Sequence, residues 1–106
     1  MSKENIASAQ VTAEMKAAWS KKYGEGKCAT VKVEDKVCFL RPPNRTEMGA
    51  YSIAYRSNPV KANEYLLKQC WLAGDAEIQN EDRLFYAAAE KLPELVESAS
   101  AELDKF

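Results

Sequence analysis

Histidine is absent from this 106-residue chain. Its absence removes Ser-His-Asp and Cys-His arrangements, because histidine is the common base that titrates near neutral pH. Glycine is scarce, with four residues, and no glycine-rich loop is present to cradle a phosphate or a dinucleotide. Cys28, Cys38 and Cys70 are an odd count, spaced ten and thirty-two residues apart. Neither a disulfide framework nor a zinc site with close-spaced thiolates follows from that spacing. The three are expected to be buried free thiols, and no metal or cofactor is expected. No stretch approaches the ~18 consecutive apolar residues that cross a bilayer. The opening M-S-K-E-N-I-A-S-A-Q is polar and lacks the apolar region of a secretory signal, so the expected site of action is a cytoplasm.

What remains is the composition of an ordinary globule, 46% hydrophobic and 29% charged. The length fits one domain over residues 1–106, with 1–10 expected to be disordered. Net charge is −1, but residues 1–57 carry +4 and residues 58–106 carry −5. The front is mildly basic and the back acidic. Lys21, Lys22, Lys27, Lys32, Lys36 and Arg41, with Tyr23 and Phe39 as stacking rings, could serve a nucleic acid. They are spread as on any solvated face, so nucleic-acid binding is not the favoured reading. Asp75 with Glu77, and Glu81 with Asp82, could pair as catalytic carboxylates. Their places at a loop and a helix start are better explained by capping and by the helix dipole. The chain reads as a non-enzyme.

The expected fold is α+β and mostly helical: an N-terminal helix, one β-hairpin, then three to four helices. Thr12 caps a helix that ends at Gly24, with a thin apolar stripe of Val11, Met15, Ala18 and Trp19. Thr30–Val33 and Val37–Leu40 alternate as strands joined through Glu34, Asp35 and Lys36, with Val31, Val33, Val37 and Phe39 on the covered side. Pro42 and Pro43 end the second strand. Asn44 and Glu47 form a capping box for a helix bearing Met48, Tyr51, Ile53, Ala54 and Tyr55. Asn58-Pro59 starts the next helix, predicted to run through Leu66, Leu67, Cys70 and Trp71 to a stop at Gly74. Residues 75–79 read as a loop. Asn80 is expected to cap a helix that buries Leu84, Phe85, Ala87, Ala88 and Leu92, interrupted or kinked at Pro93. Beyond it Leu92, Val96, Ala99, Leu103 and Phe106 recur as a heptad stripe.

Two features could face a partner. Trp71 reads first as a core plug and second as an interface anchor. The stripe of Leu92, Val96, Ala99, Leu103 and Phe106 reads as core closure or as a contact with a second subunit or partner helix.

The order of elements carries a resemblance. V-K-V-E-D-K-V-C-F-L-R-P-P as a hairpin leading into a capped helix is followed by N-P-V-K-A-N-E-Y-L-L-K-Q-C-W-L-A-G-D and an acidic helical end. Over residues 28–106 this resembles the small tail assembly chaperones of long-tailed bacteriophages and prophages. The resemblance implies a non-catalytic factor in the host bacterial cytoplasm that coats the helical tape measure protein and helps recruit tail tube subunits. A homo-oligomer is possible under it, and no membrane is involved. A phage or mobile-element regulator that binds one globular target stays open, as does a weak nucleic-acid binder.

Overall fold

The computed structural model describes residues 5–96 and 101–106. After a short 3-10 turn (Ser8–Gln10) come α1 (Ala13–Tyr23), β1 (Ala29–Val33), β2 (Lys36–Leu40), α2 (Arg45–Ser57) and α3 (Pro59–Cys70). β3 (Trp71–Gly74), α4 (Glu77–Asn80), α5 (Asp82–Ala89) and α6 (Leu92–Val96) follow. The fold is α+β and mostly helical, around an antiparallel sheet ordered β1-β2-β3.

Local chemistry starts the first three long helices where the sequence suggests. The Thr12 side chain accepts from the Met15 N–H, and α1 stops at Gly24, whose φ of 107° a side chain would resist. Asn44 and Glu47 cap each other reciprocally at the start of α2. The Asn58 side chain accepts from the Lys61 N–H, and Pro59 occupies the first position of α3.

The hairpin forms with Val33 opposite Lys36, Val31 opposite Cys38 and Ala29 opposite Leu40. Lys36 therefore belongs to β2, and the turn is Glu34-Asp35 alone. That register corrects the expected faces. Opposite residues share a face, so Val31 and Val33 join Cys38 and Leu40 in the core. Val37 and Phe39 point to the other side. A two-residue turn places odd positions of β1 against even positions of β2.

The larger correction is β3. W-L-A-G, expected as the last turn of α3, is extended and pairs with β2, Cys38 opposite Gly74 and Phe39 opposite Ala73. A short apolar run fits helix or strand equally by periodicity; here the second edge of β2 decides. Gly74 is a close-approach residue rather than a helix stop. Its φ is +152°, and a Cβ there would lie 2.6 Å from the Cys38 Cα.

Of the segment 1–10 expected to be disordered, residues 1–4 lie outside the described residues, and Asn5, Ile6 and Ser8 are hydrogen-bonded to the 71–75 segment. The Ile6 carbonyl accepts from the Gly74 N–H at 2.8 Å, and the Asn5 amide donates to the Gly74 carbonyl at 2.7 Å. The Trp71 indole N–H donates to the Asn5 side-chain oxygen at 2.7 Å. The Ser8 hydroxyl lies 2.9 Å from both carboxylate oxygens of Asp75. An otherwise bare end of β3 supplies the backbone partners that this segment needs.

One face of the sheet carries the core, where Leu40, Leu66, Leu67, Ile78 and Leu92 are essentially sealed from solvent. As expected, α3 lies at its centre. α1 is not part of it and buries no residue fully. It covers the opposite face, with the Trp19 ring 5.9 Å from the Phe39 ring and Lys16 Nζ 5.1 Å above the latter.

In the last third, residues 75–79 are not all loop, since α4 forms and seats Ile78 in the core. Asn80 ends α4, and Glu81 takes the cap position of α5. Ala89 is buried where Ala87 was expected, and Ala87 is exposed. The helix breaks at Glu90-Lys91 and restarts as α6 with Pro93 in its first turn, the position that proline tolerates.

Candidate partner-binding surface

Arg41 directly follows β2 and is fixed by the elements around it. Its guanidinium donates to both carboxylate oxygens of Glu47, at 2.8 and 2.7 Å, and to the carbonyls of Pro42 and Gln69 at 3.1 and 2.7 Å. The Asn44 N–H adds a third donor to Glu47 at 2.9 Å. The guanidinium hydrogen bonds hold the Glu47 carboxyl below its usual range against a desolvation that acts the other way. The carboxylate in turn raises Arg41. One arginine thus joins β2, the Pro42-Pro43 turn, the start of α2 and the end of α3.

Beside this joint lies an open groove of about 500 Å³. One wall is the backbone and side chains of residues 26–32, running along β1. The opposite wall is α6 with Leu95 and Val96, and Met48 and the two prolines close one end. Lys27, Lys32 and Lys91 stand on its rim with Glu94. β1 is an edge strand, and among the described residues no backbone hydrogen bond joins its outer side to another segment. The groove has no local signature in the sequence, because its walls come from opposite ends of the chain.

The residues singled out from the sequence do not form one surface. Leu92 lies in the core with no exposure. Val96 is half-buried in the groove wall, and Ala99 lies outside the described residues. Leu103 and Phe106 are exposed and not helical, at 84% for Leu103. Among the described residues the members of the expected heptad stripe do not share one helical edge. Its first member is spent on the core, and residues 101–106 have no helix to carry its last ones. Trp71 is half-buried, packs against the margin of the core and is engaged by Asn5, so it is no central plug.

Among the thiols, Cys38 and Cys70 are buried as expected, and burial pushes them up to about 12 and about 11. Cys28 departs from that expectation. It is half-exposed beside the groove, because the 24–28 loop has no layer over it. Of the basic residues weighed for nucleic acid, Arg41 is held by Glu47, and Lys36 pairs with Glu77 at 3.0 Å. Among the described residues no cluster of three or more His, Cys, Asp or Glu could hold a metal ion. No described helix is long and apolar enough to cross a membrane.

Sequence did not single out the surface with the most exposed apolar side chains on regular structure. Ile53 is 72% exposed on α2, Tyr55 is exposed two residues on and on a different face of that helix, and Val60 is exposed just past the α2–α3 corner. Tyr86 is exposed on α5. Ile53 and Tyr55 lie within the expected apolar stripe of α2, of which only Tyr51 is buried, its hydroxyl donating to the Asn63 side-chain oxygen at 2.9 Å. The stripe was broader than the face that α3 covers. No protein-family model, curated protein or solved structure matches the chain.

Proposed function

We propose that this protein is a non-catalytic tail assembly chaperone that binds a long helical tape measure protein in a bacterial cytoplasm and helps recruit tail tube subunits. The partner and the setting come from the family resemblance over residues 28–106. The observation that supports a protein partner is the set of large apolar side chains left on the surface, Ile53 and Tyr55 on α2, Val60 on α3, and Leu103 and Phe106. A long amphipathic helix aggregates unless its apolar stripe is covered, and exposed aliphatic and aromatic side chains on a small helical protein suit that task. Many copies along one partner would cover a stripe far longer than any one of them. No residue is assigned a chemical step.

Co-expression with a long helical tape measure protein tests this reading. A tagged wild-type chain is expected to carry that protein through purification. Ile53→Asp with Val60→Asp is expected to stay folded, since both sites are exposed, and to lose capture, because a charge would be buried unpaired in the contact. A wild-type chain that captures no helical partner overturns the proposal.

A further inference from the structure

We infer that the groove along β1 is the seat for the 101–106 segment of a second copy of this chain, which joins copies head to tail. Three observations meet there. First, β1 offers an unpaired strand edge, and an extended segment can complete such an edge with main-chain hydrogen bonds. A-E-L-D-K-F, six residues, spans on the order of 20 Å when extended, enough to run the length of five-residue β1. Second, charge is complementary. Among the described residues Lys27 and Lys32 on the rim have no carboxylate partner, and the segment brings Glu102 and Asp104. Third, Leu103 and Phe106 are exposed with nothing over them, while Leu95, Val96 and Met48 give the groove apolar walls.

The contact is heterologous, groove of one copy to tail of the next, so it generates rings or open chains rather than a closed pair. It does not depend on the proposed tape measure contact. The test contains no other protein, and its failure leaves capture through the α2–α3 corner untouched.

Light-scattering mass of the full chain across a wide concentration range reads the inference directly. The wild type is expected to rise above the 11.9 kDa of one chain as concentration increases. Leu103→Asp with Phe106→Asp is expected to hold at one chain with an unchanged circular-dichroism melt. Lys27→Glu with Lys32→Glu is expected to do the same. Combining it with Glu102→Lys and Asp104→Lys is expected to restore association, which loss of folding could not mimic. Amide exchange of Thr30 and Lys32, whose N–H groups face away from β2, should slow as concentration rises. Three results overturn the inference: a wild type at one chain throughout, a Leu103/Phe106 variant that associates like the wild type, or slow exchange at Thr30 and Lys32 that is independent of concentration. The last would place the tail in its own groove.

Discussion

Gly74 shows how one atom can define a residue's role. With φ at +152° and a would-be Cβ 2.6 Å from both Cys38 Cα and Cβ, no side chain fits unless β2 and β3 separate. Gly74→Ala is expected to destabilise by about 3 kcal/mol, from strained backbone and overpacking together. A chemical-denaturation midpoint unchanged from wild type would contradict that close approach. At Arg41 the decisive quantity is desolvation. The bidentate pair with Glu47 is nearly closed to solvent, with side-chain exposures of 18% and 9%. Removing either partner strands the other charge, so Arg41→Ala or Glu47→Ala should each cost about 3 kcal/mol, while the double variant costs much less than their sum. Additive losses would show that the two act separately. Arg41→Lys should not rescue, because an ammonium cannot reproduce the fork that reaches Glu47, Pro42 and Gln69.

Among the elements, those written in local chemistry were legible in the sequence and those set by distant partners were not. Thr12, Asn44 with Glu47, and Asn58-Pro59 mark their helix starts because each cap closes within three residues. β3 was hidden because W-L-A-G has no signature of its own; its state depends on an open β2 edge more than thirty residues earlier. The docked N-terminal segment was hidden for the same reason, since its bonds reach Trp71, Gly74 and Asp75. The candidate surface was legible only in part. The sequence offered the stripe with Leu103 and Phe106 as core closure or partner contact; both are exposed, while Leu92 of the same stripe belongs to the core. The groove and the α2–α3 corner exist only once the chain is folded. Asp75 offers a test at this scale. The Val37 N–H and the Ser8 hydroxyl hold its carboxyl below the usual aspartate value. A depressed pKa contributes stability above the unfolded value near 3.9, and that stability is lost as pH falls through the folded one. Glu47 shifts in the same direction, so stability should be level at neutral pH and decline in the acid region below about pH 4. In a Trp19→Phe background, Trp71 emission should shift to the red over the same range as the N-terminal segment releases. Asp75→Ala should show the shifted emission already at neutral pH. Emission unchanged by Asp75→Ala would mean that the segment is held by Asn5 and Ile6 alone.

The whole molecule divides its surface by task. The sheet and α3 bury one core, α1 and the N-terminal segment shield the second face and the β3 edge, and among the described residues the β1 edge keeps no backbone partner on its outer side. An open strand edge is an aggregation hazard in a protein with no use for it, and the lysines beside β1 limit indiscriminate pairing. Under the proposed role, repeated copies would lie along a long partner, each covering a share of its apolar stripe. The most direct measurement of the proposed role is the solubility of a long helical tape measure protein when expressed with and without this chain. The partner is expected in the soluble fraction, bound to many copies, only when wild-type chain is present, and in the pellet with the Ile53→Asp, Val60→Asp variant. A partner equally insoluble with and without the wild-type chain would contradict the chaperone role.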